Sequence, residues 1–433
     1  MPIRESLFFR SGGPGNPPGG LRAPARISHI PRRPDPRAPQ AQGIVIDATR
    51  LVRRTLQDLL PTGIDRAGLA YVDHYQGHAL AMVVWLSWAF ILTPSASRQL
   101  WRLLLRPQHT ARSRMHPMML RLVVLRGVLG GLLWPRRIMG HVLLNTSHSG
   151  LEQSRYGAMI RRLGLQPVFL IHDLIPITHP EFCRPGERRR HSTRIQTALE
   201  HGAGLITNSD ATLRQITDHA EQTRMPLPTM VTARLAPGLR RSPPGPRPPG
   251  APYFVVLGTI EPRKNHYMLL QLWRRLVEQA GTGAPRLMVV GRRGWEIEHV
   301  VDLLDRCEPL RSFVIEHPAC TDPDLNTYLH HSRALLYPSM AEGYGLPIIE
   351  ALALGVPVIA SNLPVFREVG GEIPEYVDPL DARRWGEVIM DYARPDSALR
   401  ARQLQRICEF AEPTWSEHFE IVDRLIGNLN APG

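Results

Sequence analysis

The sequence has almost no lysine, few aromatic residues and no apolar run long enough to cross a bilayer. Of its 52 basic residues, Lys264 is the only lysine. Aromatic residues make up 6% of the 433 positions, which argues against a nucleic-acid-binding protein, because such proteins interleave aromatic rings with basic residues. The most apolar stretch, residues 79–92, is shorter than the roughly 18–20 residues of a membrane span. It predicts a buried helix.

Cysteine is also scarce, and phosphate-binding fingerprints of the usual kinds are missing. The four cysteines form no Cys-x-x-Cys pair, which argues against a disulfide framework or a zinc knuckle and fits a reducing cytoplasm. No P-loop occurs, and no Gly-x-Gly-x-x-Gly follows a strand, so a nucleotide sugar is favoured over ATP or NAD. The N-terminus has no signal-peptide core, so we expect a soluble or peripheral protein.

Charge and proline content divide the chain into segments. Residues 1–42, with nine prolines and seven arginines, predict a disordered basic tail. Residues 43–240 are predicted to form a first domain, residues 241–250 a Pro/Gly-rich linker, and residues 251–433 a second domain whose last helix crosses back to the first. The net charge is +15 over residues 43–250 and −7 beyond them. The basic half suits an anionic surface, either nucleic acid or lipid headgroups.

Short apolar strands alternate with helical segments in both halves. Strands are predicted at 43–47, 142–145, 167–171, 204–207, 253–257, 286–290, 312–315, 334–337 and 356–360, and helices at sites that include 266–279 and 325–332. This alternation predicts an α/β protein with one parallel sheet in each domain. Ligands then bind beyond the carboxyl ends of the strands, here in the cleft between the two domains.

The segment 118–137 allows two interpretations. It is apolar apart from Arg121 and Arg126, and Arg136 and Arg137 follow it. It is either a helix on a membrane surface, with arginines reaching toward lipid phosphates, or a core helix with two exposed arginines.

The stretch 338–351, Pro-Ser-Met-Ala-Glu-Gly-Tyr-Gly-Leu-Pro-Ile-Ile-Glu-Ala, begins where a strand ends and becomes helical near Leu346. Gly343 and Gly345 allow close approach of a ligand to the backbone, and amides at the start of a helix attract anions. Glu342 and Glu350 lie eight residues apart, so their carboxylates can reach hydroxyls of one extended polar ligand. The alternative is that this segment is only a capped helix with two glutamates on its surface and binds no ligand.

A second motif, Gly258-Thr-Ile-Glu-Pro-Arg-Lys-Asn, follows the strand at 253–257. Arg263 offers a planar fork that binds two oxygens, and Lys264 is a compact point charge. Two adjacent cations at the carboxyl end of a strand suit a diphosphate.

Both motifs resemble those of the family 4 retaining glycosyltransferases, which have the GT-B fold, two Rossmann-like domains that face each other across a cleft. The resemblance covers EGYGLPIIEALALGVPVIAS from Glu342 onward and the G-x-x-E-x-R-K-N pattern from Gly258. It implies that Arg263 and Lys264 bind the donor diphosphate, and that Glu350 binds the ribose. It further implies that the donor sugar is held by Glu342 and by the backbone amides of Gly343, Tyr344, Gly345 and Leu346. It implies front-face transfer without a metal or another cofactor.

In the first half, Gly63 and Arg66 lie in a segment that resembles a variant of the family's acceptor-side loop, although an ordinary helix start explains it as well. His172 ends the strand at 167–171, where the family has a histidine in contact with the donor sugar. Ser209 matches a family serine near the acceptor, or is a helix N-cap. Asp322-Pro-Asp324 is interpreted as a helix cap, and no metal site is predicted.

Together these features predict a hexosyltransferase of exopolysaccharide or lipopolysaccharide assembly, acting on a lipid-linked or saccharide acceptor. Residues 62–66 and 172–177 resemble mannosyltransferase-like members, so GDP-mannose is the expected donor. We expect the protein in the cytoplasm, peripheral at the inner face of the cytoplasmic membrane. The rivals are a nucleotide-sugar epimerase of the same fold and a basic nucleic-acid-binding protein.

Overall fold

The computed structural model describes residues 43–430 except 86–87, 107–114, 134–137, 240 and 251. The expected basic tail, residues 1–42, lies outside the described residues. The described chain forms two sheets, each covered by helices. No helix within the described ranges is both long and apolar enough to cross a membrane.

The first sheet has seven strands in the order β3-β2-β1-β4-β5-β6-β7. All neighbours are parallel except β2 and β3, which form an antiparallel pair at one edge. The strands are β1 Ile44–Asp47, β2 Leu80–Trp85, β3 Trp88–Ile91, β4 Val142–Asn145, β5 Gln166–Ile171, β6 Gly204–Thr207 and β7 Thr229–Thr232. The helices are α1 Thr49–Leu56, α2 Gly63–Tyr75, α3 Pro94–Leu104, α4 Met115–Leu133, α5 Tyr156–Leu163, α6 Ile175–Thr178, α7 Glu187–His201 and α8 Asp210–Thr223.

The second sheet has six strands, all parallel, in the order β10-β9-β8-β11-β12-β13. The strands are β8 Tyr253–Leu257, β9 Arg286–Val290, β10 Val314–His317, β11 Leu335–Tyr337, β12 Val358–Ser361 and β13 Glu375–Val377. The helices are α9 His266–Ala280, α10 Glu298–Arg306, α11 Asp322–His331, α12 Leu346–Ala353, α13 Pro364–Gly370, α14 Ala382–Ala393, α15 Ala398–Ile407 and α16 Trp415–Asn430.

The central strands are short apolar runs because helices cover both faces of each sheet. β1, β4, β6 and β12 are buried along their whole length, as is typical of parallel sheets in α/β proteins. The prediction of two Rossmann-like α/β domains is confirmed, with the one antiparallel edge strand as an addition. The strand predicted at 312–315 begins two residues later, at Val314.

The buried helix predicted for residues 79–92 is wrong. Residues 80–85 and 88–91 form the β2–β3 hairpin, in which Trp85 pairs with Trp88. A continuous apolar run does not distinguish a buried helix from short strands, because both bury all their side chains. The β-branched and aromatic residues in this run favour strands.

The final helix, α16, packs on the first domain. Leu425 is 2% exposed and lies against Gly204 of β6, where an added Cβ would come within 3.2 Å of its Cδ2. The Tyr75 hydroxyl donates to Asp423 at 2.5 Å, and His74 stacks on Phe419 with ring centroids 3.9 Å apart. Residues 241–250, which contain no helix or strand, run along α11, where Gly245 N donates to Thr327 Oγ1 at 2.9 Å.

We expect Leu425→Ala to destabilise the first domain by about 2–4 kcal/mol, because the substitution leaves a cavity between α16 and β6. The measurement is urea unfolding followed by the fluorescence of the tryptophans. Arg424→Ala, one residue earlier on the exposed side of the same helix, is the matched control and should change stability by less than about 0.5 kcal/mol. Equal effects of the two variants would show that α16 does not stabilise this domain.

Candidate active site

A cleft of about 1830 Å³ separates the two domains at the carboxyl edges of their sheets. The first domain contributes the residues after β5 and β6, together with the start of α2. The second contributes the loops after β8, β9 and β11. The motifs at 258–265 and 338–351, although about 80 residues apart in sequence, meet here because β8 and β11 are neighbours in the sheet.

A buried carboxylate between two cations forms the floor of the cleft on the second domain. Glu342 Oε2 lies 2.6 Å from an Arg263 guanidinium nitrogen, and Glu342 Oε1 accepts a hydrogen bond from Lys264 Nζ. Glu342 Oε1 also accepts from the Ser339 hydroxyl at 2.9 Å and from the Tyr337 hydroxyl at 3.1 Å. Every lone pair of this oxygen is therefore engaged, and the carboxylate is fixed in one orientation.

The neighbouring charges keep Glu342 ionised. Burial alone would raise the pKa of Glu342, but Arg263 and Lys264 outweigh it and lower that pKa to about 2. Burial lowers the pKa of Lys264, which Glu342 opposes. Arg263 has a second acidic partner, since Glu261 Oε1 lies 2.7 Å from its other terminal nitrogen. Two cations and two carboxyl groups thus lie together in a poorly solvated place.

Two glycines make room for this cluster. Gly258 has φ +136°, and an added Cβ would lie 3.2 Å from Lys264 Cε. An added Cβ on Gly291, after β9, would lie 1.9 Å from the carbonyl oxygen of Gly258. The loops after β8 and β9 approach this closely only without side chains. Gly258 therefore positions the Lys264 side chain under the cleft.

Gly343 is a point of close contact between the two domains. An added Cβ would lie 2.1 Å from the His172 carbonyl oxygen. The Gly343 carbonyl accepts from the Ser209 hydroxyl at 2.9 Å and from the Thr212 hydroxyl at 3.2 Å. Ser209 also accepts from Thr212 N at 3.1 Å and is the N-cap of α8. The structure thus shows Ser209 as a fully buried helix cap that does not itself line the cleft, and its predicted place near the acceptor stays a prediction.

His172 lies in the cleft as a neutral imidazole. Its Nε2 is 2.8 Å from the Thr146 carbonyl oxygen, so the proton is on Nε2 and Nδ1 has the free lone pair. Burial lowers the pKa of His172, and the hydrogen bond to Thr146 only partly opposes this. Its backbone N–H is directed at Nε2 of His148 at 3.3 Å. His172 is therefore available as a hydrogen-bond acceptor rather than as a cation.

Gly63 and Arg66 lie at the first domain's side of the cleft. Gly63 opens α2, and Thr62 and Asp65 form a capping box there, so the helix-start interpretation is right in its geometry. An added Cβ on Gly63 would lie 2.8 Å from Leu346 Cδ1. Arg66 binds Asp322 through both terminal nitrogens, at 2.6 and 3.0 Å, and also donates to the Gly238 carbonyl. Arg66 therefore joins the two domains.

The remaining residues predicted for donor binding all line the cleft, but some are already engaged. Glu350 Oε1 accepts from the backbone N–H groups of Gly238 at 3.1 Å and Leu239 at 3.0 Å. The Tyr344 hydroxyl donates to the Leu235 carbonyl at 2.7 Å, which leaves its backbone, not its ring, for a ligand. Gly345, with φ +118°, is the N-cap of α12, and Leu346 is the first residue of that helix.

Three residues of the cluster were not singled out from the sequence: Glu261, Tyr337 and Ser339. Tyr337 donates its hydroxyl to Glu342 and accepts from Lys264 Nζ at 2.7 Å, with Nζ also 4.5 Å from the ring centroid. Tyr337 is the last residue of β11, and a polar side chain at a carboxyl strand end is the signal that identifies it. Asp322, interpreted as a cap, is the first residue of α11 and also the partner of Arg66, while Thr321 caps the helix.

Within the part of the chain that the structure describes, no group of three or more His, Cys, Asp or Glu side chains is arranged to hold a metal ion.

Comparison with known proteins finds similarity in the linker and the first two thirds of the second domain. Residues 241–373 match the family model described as "Glycosyl transferases group 1". The chain is 29% identical over 233 residues to the Escherichia coli "Serotype-specific mannosyltransferase WbdA", a match that covers 49% of this chain and 28% of that protein. It is 29% identical over 259 residues to the E. coli "O-antigen chain mannosyltransferase B", covering 57% of this chain and 66% of that protein. The chain thus spans little more than a quarter of the first relative's length.

Solved structures share the whole fold. HepE of Anabaena, in complex with UDP-glucose, aligns with a TM-score of 0.61 at 13% identity, covering 89% of this chain and 99% of that one. Sucrose-phosphate synthase from Thermosynechococcus elongatus aligns with a TM-score of 0.58 at 16% identity, covering 90% and 100%. At these identities the likeness establishes the fold, and the predicted GT-B architecture is confirmed.

The buried carboxyl group of Glu350 makes the stability of the fold depend on pH. Burial raises its pKa to about 7, although Arg66 and the two backbone N–H groups oppose this. Because the pKa is higher in the folded than in the unfolded chain, the folded state gains stability from the protonated form below about pH 4.5 and loses it as the pH rises through 7. Glutamine does not ionise. We therefore expect the free energy of unfolding of Glu350→Gln to fall by about 1–3 kcal/mol less than that of wild type between about pH 5 and 8.

The measurement is the free energy of unfolding of wild type and Glu350→Gln at several pH values in this window. Glu296→Gln, at an exposed side chain, is the control and should parallel the wild-type curve. A Glu350→Gln curve that also parallels wild type would mean that this carboxyl group is ionised throughout the window.

Proposed function

We propose that this chain, whose residues 241–373 match the model of the glycosyl transferases group 1 family, transfers a hexose from a nucleotide sugar to a saccharide or lipid-linked acceptor. The observation that carries the proposal is the contact of Glu342 with the buried Lys264 and the partly buried Arg263 at the floor of a two-domain cleft. The transfer retains the anomeric configuration and needs no metal ion.

The two cations serve the departing diphosphate. Arg263 pairs with both Glu261 and Glu342, and Lys264 pairs with Glu342, so the two cations are held in fixed positions. Negative charge accumulates on the phosphate oxygen as the bond to the sugar breaks. Fixed cations in a water-poor site stabilise that charge without a reorganisation cost, which lowers the barrier. The same cations thus supply what a metal ion supplies in other transferases.

The sugar is held between the two domains. Glu342 and the amides of residues 343–346 approach its hydroxyls from the second domain, and Nδ1 of the neutral His172 accepts a hydrogen bond from the first. Glu350 Oε2 remains for the ribose, since Oε1 is occupied by residues 238–239. The acceptor enters from the side of Gly63 and Arg66, which line the cleft. Its attacking hydroxyl forms the new bond to the sugar, and the leaving phosphate takes the proton of that hydroxyl.

Mannose is the sugar that the comparisons support best, because the two E. coli relatives are named mannosyltransferases. GDP-mannose is accordingly the proposed donor. The acceptor is a growing surface polysaccharide or lipopolysaccharide saccharide, free or lipid-linked, and the protein works in the cytoplasm at the inner membrane face. No specific feature of the cleft favours the epimerase alternative, which acts without an acceptor.

A donor panel tests the assignment. Thermal stability and slow hydrolysis are measured with GDP-mannose, UDP-glucose, UDP-galactose and UDP-N-acetylglucosamine, each with and without excess EDTA. We expect GDP-mannose to give the largest shift and EDTA to leave it unchanged. A conversion of the donor into its epimer would support the rival enzyme, and no response to any nucleotide sugar would contradict the proposal.

Removal of the lysine charge tests the cluster. Lys264→Met keeps most of the length of the unbranched side chain and removes its charge, so we expect kcat to fall about 100-fold or more with the same donor. Tyr337→Phe is the matched control, because it removes one hydroxyl next to Lys264 and Glu342 and no charge. We expect its kcat to fall less than about tenfold. A Lys264→Met protein that folds and has the wild-type kcat would exclude Lys264 from the reaction.

A further inference from the structure

The corner of the first domain formed by the β2–β3 hairpin and α4 exposes an unusual amount of apolar surface. Trp85 and Trp88 are 64% and 63% exposed, and as directly paired residues of an antiparallel ladder they point to the same side. Helix α4 packs against β3 and α3 in the same corner. Large exposed apolar patches on a folded domain indicate a contact surface.

The exposed residues of α4 form one stripe. Met118, Leu122, Leu125 and Leu129 are each more than half exposed and are spaced four, three and four residues apart, which places them on one face of a helix. The opposite face is held close to the domain. An added Cβ on Gly127 would lie 2.6 Å from Leu92 Cγ, so the glycines that weaken the helix by propensity allow it to approach β3 and α3. Of the two earlier interpretations of this segment, the core helix accounts only for this inner face. Residues 134–137 lie outside the described residues.

The arginines of α4 flank the stripe. With 3.6 residues per turn, Arg121 and Arg126 fall on opposite sides of the line from Met118 to Leu129, and both side chains are exposed. Such positions let the apolar part of the side chain lie along the stripe while the guanidinium reaches outward to an anion.

The charge of the whole corner has one sign. Between Asp73 and Glu152 the sequence contains nine arginines and no acidic residue. Exposed among them are Arg98, Arg102 and Arg106 of α3 and its end. A second copy of the chain placed on this corner would bring two positive surfaces together, which is unfavourable. A bilayer with anionic lipids offers both the apolar layer and the negative charge.

The corner lies at the mouth of the cleft. Because β2 runs parallel to β1, Trp85 and Asp47 both lie at the carboxyl ends of their strands. The carboxyl ends of this sheet face the second domain. Arg106, just after α3, lines the cleft itself. A membrane in contact with the hairpin would therefore lie beside the opening through which an acceptor enters.

We propose that the β2–β3 hairpin and α4 form a docking surface for an anionic lipid bilayer, with Trp85 and Trp88 at the headgroup level and the α4 stripe in the outer acyl layer. Tryptophan is enriched at that depth, and amphipathic helices lie in that plane. Docking by this surface would hold the cleft at the membrane, where the proposed transfer takes place, and in this respect the inference rests on the proposed function. The docking itself needs no donor.

Vesicle sedimentation tests the docking. The full chain is mixed with vesicles of phosphatidylcholine alone or with 30% phosphatidylglycerol added, at low and high salt. We expect the bound fraction to require the anionic lipid and to fall as salt rises, because part of the attraction is electrostatic. Binding that is equal with both compositions, or absent with both, would overturn the proposal whatever the variants do.

Two double variants locate the surface: Trp85→Ser with Trp88→Ser, and Leu122→Ser with Leu125→Ser. Each should lower the lipid partition coefficient by about tenfold or more, because apolar burial supplies part of the binding. Leu380→Ser and Tyr267→Ser change residues of the second domain that are 77% and 49% exposed, and they should bind as wild type does. Binding retained in both double variants would place the surface elsewhere and overturn the proposal.

Sedimentation velocity without lipid distinguishes the rival occupant. A concentration-dependent dimer that the double variants abolish, without vesicle binding by wild type, would assign the corner to self-association. Donor hydrolysis in lipid-free buffer should be unchanged in both double variants, because none of their residues belongs to the donor site. A chain that hydrolyses donor but ignores vesicles refutes the docking alone, and a chain that binds vesicles but no donor refutes the transferase alone.

Discussion

The buried contact of one carboxylate, Glu342, with two cations, Arg263 and Lys264, is the interaction on which the site depends. It ties the loop after β8 to the loop after β11 and fixes both sides of the cleft floor. None of the three charges is stable alone in this poorly solvated place, because the loss of one partner leaves another charge uncompensated. The cluster therefore persists as a unit, and an entering diphosphate meets cations that are already desolvated and oriented.

Residues of the motif at 338–351, together with Glu368 of α13, also hold the two domains together. Gly343 accepts hydrogen bonds from α8, Glu350 accepts them from residues 238–239, and Glu368 accepts from Asp210 N at 2.7 Å and Ala211 N at 3.0 Å. These contacts lie along the carboxyl edges of both sheets, beside the cleft. The geometry of the cleft is thus set by the same short segments that are proposed to bind the donor, and a change in one affects both.

Local sequence patterns were sufficient for nine of the thirteen strands that the structure describes and for bringing Arg263 and Glu342 to one place, because apolar runs and strand ends carry that information. They did not predict β7 and β13. They failed for residues 79–92, because an unbroken apolar run does not distinguish a helix from a hairpin. They also missed Tyr337, whose role depends on the neighbour relation of β8 and β11, and the pairing of Arg66 with Asp322, which are 256 residues apart. Such long-range partners follow from domain packing, not from spacing.

In the proposed mechanism, Arg263 and Lys264 bind the second phosphate of the donor nucleotide. The most direct test is calorimetric titration of GDP and of GMP into wild type and Lys264→Met, with UDP and UMP in parallel. We expect wild type to bind the diphosphate at least about tenfold more tightly than the monophosphate, a difference of about 1.4 kcal/mol, and Lys264→Met to lose most of this difference. An equal preference for the diphosphate in both proteins would contradict this mechanism.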